Sequence, residues 1–538
     1  MNARRQKFLL FGLLITAAGT LFRLLRLDAA LEYDEIWTLE SYAAKSIRTI
    51  FTTLSLPNNH PLNSLAVKLT AFPGAAPQWI RLAPCLAGVL AIPLAGAVAF
   101  GLWRRRGAAL WSMFFVALLP AAVFYSQQAR GYSPQLFFLL LFAAGLYAAR
   151  RFPRSGCAAI FLGATGAMLT LPTSAFYLGA AGTAAAFRCR KTWRKHLPAA
   201  ISLAAAGAFA LAWVLFNFRQ FQANRSWGIP IDSFPAFGSY LYDTVSGNIP
   251  AVVLLAAVPA LLFQFRRGLP VLWIWLWLLV AAVLFNGGPP RTALPLAAAT
   301  TLLAGAGVAL LRRRVPAYGK VIGAAFGILT LAALAAAYRE PYPDWYGIHR
   351  TVRQLPPEVL VLFPANDSWP LAWNNAPESY REQLRRIAPL PPGHTKRSLL
   401  IVSRDGSLTG CAPNGAELRV PIAAEGIPVE FDAMRGMLYG LEELDGAPAA
   451  GDTVVAFIRP LPEAEAKALL QELFARRKDF LSFNVWLCTS VTEGGTTYRY
   501  YLAGGHIAHP GETDWERFLR EKPGATALYR IVPPGKNR

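Results

Sequence analysis

The sequence predicts a polytopic α-helical membrane protein of about eleven transmembrane helices, followed by a C-terminal extramembrane α/β domain. Three observations carry this. The 538 residues are 54% hydrophobic with a mean hydropathy of +0.34, too apolar for an ordinary soluble enzyme. Apolar runs able to cross a hydrocarbon core of about 30 Å recur through residues 1–339. Charge is divided in the same way: residues 1–339 hold seven Asp or Glu and 31 Lys or Arg, whereas 340–538 hold 24 acids and 22 bases. The formal charge of +22 is therefore +24 in the first part and −2 in the second.

The first run, 8–26, follows Arg4, Arg5 and Lys7. It has the look of a signal peptide, but no small-residue cleavage site precedes Arg23, so it reads as a retained signal anchor. A long external loop, 27–78, comes next. Within it, 35–56 carries apolar and aromatic residues at helical spacing, as expected of amphipathic helices lying on the bilayer surface. Pro57-Asn58-Asn59-His60-Pro61 breaks them, and a helical stretch at 62–72 leads to the second span. Further spans are expected at 79–101, 107–124, 133–149, 156–171, 174–187, 198–217, 250–265, 269–286, 292–311 and 320–338. The short runs 156–171 and 174–187, with Pro172 between them, read either as two spans or as a re-entrant pair.

The basic clusters set the orientation. Those at 4–7, 104–106, 150–154, 188–195, 266–267 and 312–320 fall in alternate short loops, which the positive-inside rule places in the cytoplasm. The intervening loops, all seven acids of the first part and the C-terminal 200 residues or so then face outside. The isoelectric point of about 10.1 is thus a signal of topology. Nucleic-acid binding would ask for one concentrated basic face, and none is present.

A second external loop, 218–249, holds Arg219, Arg225, Trp227, Asp232, Tyr240, Tyr242 and Asp243. This composition suits a wall that meets a sugar, and equally an aromatic belt at the interface. Beyond residue 339, strand-like runs at 358–363, 398–403, 453–458, 481–489 and 496–502 and helical patterns near 462–478 and 513–521 predict the small α/β domain. The five cysteines show no metal spacing; Cys411 and Cys488 either pair or stay as buried thiols.

The chemistry concentrates in the external loops. Asp28, Glu32, Asp34, Glu35 and Glu40 stand together where few other acids exist, and a carboxylate at the membrane boundary can take a proton from an attacking hydroxyl. Asp34 and Glu35 are the catalytic candidates. Bases on the external side lack the positive-inside explanation. Arg23, Arg26 and Arg339 are assigned to snorkelling, whereas Arg81, Arg130 and Arg291 are candidate phosphate ligands because a guanidinium offers a planar fork of donors. His60 joins them as a candidate phosphate contact. Tyr125, Gln128, Tyr132 and Asn59 are the candidate substrate pocket. No His/Asp/Glu spacing demands a metal.

The order Arg23-x-x-Arg26, Asp34-Glu35, His60-Pro61, Arg81-Leu82-Ala83-Pro84 and Tyr125-Ser-Gln-Gln-Ala-Arg-Gly-Tyr132, with Trp345-Tyr-Gly-Ile after the last span, resembles a known family. This is the GT-C glycosyltransferases related to protein O-mannosyltransferases and lipid A aminoarabinose transferase. The resemblance covers about residues 20–340. It implies a GT-C fold in a bacterial cytoplasmic membrane and transfer of a sugar from a polyprenyl-phosphate carrier to an acceptor glycan, lipid or protein on the outer face. By position, Asp34 matches the family's loop acid, His60 its His-Pro and Arg130 the arginine after the third span. Two departures stand out. Gln128 replaces a usual Glu, and Leu171-Pro172-Thr173-Ser174 replaces a stretch that often carries His. They put a family-like divalent metal contact in doubt, and Gln128 also suits a non-catalytic scaffold. A transporter would call for internal repeats and charges at mid-membrane, and the sequence has neither.

Overall fold

The computed structural model describes residues 3–54, 58–72, 75–224, 231–285, 288–339, 345–355, 359–362, 398–403, 408–411, 417–420, 427–431, 434–444, 446–493, 496–511, 513–521 and 525–532. Pro57, Arg225 and Trp227 lie outside them. Contacts divide the chain into two units. The first comprises Met1–Ala29 with Trp37–Arg339, and the second Ala30–Ile36 with Glu340–Arg538.

The first unit is helical. It opens with helix α1 (Ala3–Leu24) and resumes at the π-helical turn Thr38–Ala43; the short helix α2 (Tyr33–Trp37) belongs, but for Trp37, to the second unit. The loop continues through α3 (Ile47–Thr52), capped by the Ser46 hydroxyl on Thr49 N–H, then α4 (Pro61–Thr70) and α5 (Pro77–Ile80). In both α4 and α5, proline opens the helix, where a missing N–H costs nothing. There follow α6 (Leu82–Trp103), α7 (Arg106–Leu118), α8 (Pro120–Ser126), α9 (Tyr132–Ala148), α10 (Pro153–Thr170), α11 (Ser174–Cys189), α12 (Leu197–Phe216), α13 (Phe218–Asn224), α14 (Phe234–Ser246), α15 (Ala251–Phe285), α16 (Leu294–Arg314) and α17 (Gly319–Arg339). Each apolar run read from the sequence falls mainly in helix among the described residues. Among the described residues six helices are long and apolar enough to cross a membrane, or seven if the pair α7–α8, bent by 57°, is one span.

Leu9, Leu13, Leu14 and Leu21 on α1, Leu211 and Leu215 on α12, and Val321, Ile328 and Leu329 on α17 are all exposed. Such an apolar exterior suits lipid, and the chain is an integral membrane protein. Helix α16, apolar all round, is the buried centre, with Leu294 through Val308 enclosed on every side. Gly156 and Gly163 of α10 let its backbone pack directly on that of α9 at Ala149 and Phe142.

Helix α15, at 35 residues, would be about 52 Å long if straight. Its flanks nevertheless meet: Asn248 Nδ2 donates to the carbonyl of Pro290 at 2.8 Å. The helix therefore doubles back at Gln264, whose φ −139°, ψ 38° is non-helical. Its two halves are the runs expected at 250–265 and 269–286.

The predicted alternation of loops also has a spatial counterpart. Arg267 donates to the carbonyl of Trp103 at 3.0 Å, and burial together with the nearby Arg313 and Arg267 lowers the pKa of Arg105. Three basic loops thus share one end of the bundle. Arg26 is not a snorkelling residue: it donates to the Tyr338 carbonyl at 2.6 Å and sits over the Tyr338 ring, tying α1 to the end of α17. Arg23 is likewise no snorkelling residue, being fully buried on the carbonyls of Gly19, Val116 and Ala117.

In the second unit, α18 (Trp345–Gln354) precedes ten strands. These are β1 (Val359–Leu362), β2 (Ser398–Ser403), β3 (Leu408–Cys411), β4 (Glu417–Val420), β5 (Ile427–Phe431), β6 (Met434–Glu443), β7 (Thr453–Pro462), β8 (Phe480–Glu493), β9 (Thr496–Ile507) and β10 (Ala525–Val532). They form one sheet in the order β1-β2-β6-β10-β7-β9-β8-β3-β4, with β5 also on β6; only β1 and β2 are parallel. Helices α19 (Glu463–Ala475) and α20 (Asp514–Glu521) supply Leu473 and Phe518 to a core with Val454, Phe480, Phe483 and Ala503. Register places Cys411 opposite Phe483, five residues from Cys488. The side chains of Cys411 and Cys488 lie outside those the structure describes.

Candidate functional site

The segment that carries the acids is built by a capping carboxylate. Glu35 is buried, and its Oε2 accepts the backbone N–H of Glu32 at 3.0 Å, the return half of a capping box around the first turn of α2. A carboxylate so engaged fixes the turn. Asp34 lies in the same turn and is half-buried. Negative charge there is favoured by the helix N-terminus.

Arg81 is engaged nearby in the chain. Fully buried, it directs Nη1 at the carbonyls of Leu27 (3.1 Å) and Ala29 (2.5 Å), which fixes the chain just before the acidic segment. Its Nη1 thus serves the loop. Asn59 is engaged within the loop. Its Nδ2 donates to Ile50 and Thr53 carbonyls at 2.8 and 2.7 Å, and its Oδ1 accepts from Ser64 at 3.0 Å. That amide holds the segment between α3 and α4 in shape.

The structure does bring together Arg130, His60, Tyr132 and Tyr125. Arg130 is buried at the turn between α8 and α9; its Nη1 donates to Asn58 Oδ1 and its Nη2 to the Tyr132 hydroxyl at 3.4 Å. The Tyr132 ring meets His60 edge-on at 5.3 Å and Tyr125 at 4.9 Å. His60 Nδ1 accepts Gly131 N–H at 2.7 Å. Residue 131 has to be glycine here, because a Cβ would lie 2.8–2.9 Å from the imidazole. With Nδ1 as acceptor, the neutral ring carries its proton on Nε2, which is buried and has no hydrogen-bond partner among the described residues.

Electrostatics place two further groups. Burial, then Arg130, then Arg291 push the His60 pKa well below the ordinary imidazole range. Arg291, exposed on the 3₁₀ turn Pro290–Ala293, lies close enough for its charge to contribute to that shift. Tyr42, on the π-helical turn, also feels Arg130; burial raises its pKa, while Trp37 and Arg130 lower it. Gln128 is half-buried and accepts the Arg130 N–H at 2.7 Å through its carbonyl. Its neighbour Gln127 is the tether, donating to the Phe22 carbonyl and the Tyr338 hydroxyl at 2.8 and 2.9 Å.

Asn58, Asn63, Gln127 and Gln220 were not singled out from the sequence. Only Asn63 left a signal there, at helical spacing from His60. Among the described residues no group of three or more His, Cys, Asp or Glu could hold a metal ion. An apolar crevice of about 560 Å³ opens between α10, α11 and α12, lined by residues including Met168, Leu178, Gly182, Leu203, Ala206 and Val214.

Solved structures similar to this chain include ArnT from Cupriavidus metallidurans in the apo state, at 14% identity over 81% of this chain and 98% of that one, with a TM-score of 0.44. ArnT bound to undecaprenyl phosphate matches at 14% identity over 79% and 97%, TM-score 0.43. The apo Archaeoglobus fulgidus oligosaccharyltransferase matches at 11% identity over 99% of this chain and 95% of that one, TM-score 0.46. No family model and no curated protein matches the sequence.

Proposed function

We propose that this chain is a membrane glycosyltransferase that moves a sugar from a polyprenyl-phosphate donor to an acceptor hydroxyl on the outer face of the cytoplasmic membrane. The observation that carries the reading is the cationic group of Arg130, Arg291 and the His60 N–H donor, held at the head of a lipid-embedded bundle. Fixed positive charge in a low-dielectric pocket binds a lipid phosphate and stabilises the charge that grows on it as it leaves. The crevice between α10, α11 and α12 has the apolar lining that an isoprenoid chain requires.

In the proposed displacement the acceptor oxygen forms its bond to the anomeric carbon as the bond from that carbon to the phosphate oxygen breaks. The electron pair leaves with the phosphate, towards Arg130 and Arg291. The acceptor proton passes to Asp34, and attack from the face opposite the leaving group inverts the centre through an oxocarbenium-like state. Tyr132 and Tyr125 offer aromatic faces to the sugar. The C-terminal domain is proposed to lie outside the cytoplasm and to meet the acceptor.

A radiolabelled polyprenyl-phosphate sugar, supplied to the full chain in nanodiscs with cell-envelope extract as acceptor, tests this. Wild type is expected to transfer label, and D34N to lose about 10²-fold or more at unchanged expression and insertion. Label transport without a new glycosidic bond would instead favour a transporter.

A further inference from the structure

We infer that Asn63 is a positioning residue for Arg130, and that it works with His60 as a two-point bracket. The inference rests on the reading of Arg130 as a phosphate ligand. His60 and Asn63 are the cap and third residue of α4, so both sit over its first turn. Each is about 1% exposed. Asn63 Nδ2 donates to the carbonyl of Ala129 at 3.1 Å, and His60 Nδ1 accepts the N–H of Gly131 at 2.7 Å. The two peptide groups so held are those on either side of Arg130.

The bracket has a physical task. Residues 127–131 form a tight turn between α8 and α9, outside any helical ladder. A turn of this kind must find partners for its backbone groups elsewhere. Fixing the peptides before and after Arg130 fixes the direction in which its Cα–Cβ bond leaves the chain. Asn58 and Tyr132 then guide the far end of the guanidinium. The share of binding that Arg130 supplies is sensitive to such placement, since a shift of about 1 Å forfeits a charge-assisted hydrogen bond.

The test is a double-mutant cycle on the full chain in nanodiscs, reading the affinity for a polyprenyl monophosphate alone. R130A is expected to weaken binding by about 100-fold and N63A by about tenfold. The double variant should bind as R130A does, within about twofold, because Asn63 acts only through that side chain. Wild-type binding by N63A, or a double variant weaker than R130A by the full N63A factor, would overturn the bracket and leave the phosphate reading intact. Unchanged binding by R130A would overturn both. If N63A gives no monodisperse protein, N63L keeps the volume and removes the donor. Loss of folded protein with both would make Asn63 a folding residue and overturn the inference too.

Discussion

Arg23 donates to the carbonyl of Ala117 at 3.0 Å, across the break between α7 and α8. Pro120 opens α8 and has no N–H, so the carbonyl four residues earlier, Val116, loses its helical partner. Arg23 Nη2 takes that carbonyl at 3.2 Å, and Nη1 takes Ala117 and Gly19. One guanidinium thus repairs the bent span that leads into the Arg130 turn. R23M is expected to leave two buried carbonyls without donors, at about 1–3 kcal/mol each. Thermal unfolding in detergent should show R23M well below wild type. R23K should lie between them, because an ammonium cannot span both carbonyls as a planar fork does.

Asp34 and Glu35 are adjacent acids with different expected sensitivities. Gln can replace Glu in a capping box, since its carbonyl oxygen still accepts the Glu32 N–H. E35Q is therefore expected to retain transfer within about threefold, whereas E35A frees the turn and loses more, by about 1 kcal/mol of local stability. D34N removes the proposed base. Transfer rates for the three variants side by side check this. Equal losses in E35Q and D34N would contradict the assignment of Glu35 to the turn.

The helical half was legible in the sequence because apolar runs in a membrane protein answer to one solvent, the bilayer. The hairpin of α15 was read as two spans because Arg266 and Arg267 interrupt the apolar run. In the sheet, β2 was found at its observed bounds, while β3, β4, β5, β6 and β10 were missed. Strand β6, MRGMLYGLEE, carries two glycines and no clean alternation, so its pairing with β2, β5 and β10 is set by tertiary partners. Within the site, residue type indicated where cations gather but not what each one holds. Arg81 and Arg130 look alike as external arginines. One binds carbonyls of its own loop and the other a side-chain amide and a phenol, a difference that only three-dimensional neighbours create.

Gln220, on α13, clasps the loop that joins α3 to α4. Its Oε1 accepts Leu54 N–H at 2.5 Å and its Nε2 donates to the Thr52 carbonyl at 2.6 Å, the two-bond pattern of a strand partner. Asn59 holds the intervening Thr53 from the other direction. Q220A removes both bonds, so the Leu54 amide is expected to exchange its hydrogen on the order of tenfold faster. Hydrogen exchange followed by mass spectrometry over that loop checks this, with α16 peptides as the unaffected control. Unchanged exchange at Leu54 would show that Gln220 does not secure the loop.

His60 predicts a pH dependence of stability. Its folded-state pKa lies well below the ordinary value of about 6.5 because the ring is buried and faces Arg130 and Arg291. An unfolded chain binds a proton at His60 as pH falls through that ordinary value, while the folded chain does not. The unfolded state then holds more protons, so stability falls with decreasing pH, by at most about 1.4 kcal/mol per pH unit. The loss begins near the ordinary imidazole pKa and stops only at the depressed folded value. Asn at this position keeps an acceptor near Nδ1 for the Gly131 N–H and has no proton to gain. H60N is therefore expected to lose less stability than wild type between neutral pH and about pH 5. Melting curves of both proteins across that range check the difference. Parallel curves would mean that His60 titrates in the folded state as it does in the unfolded one.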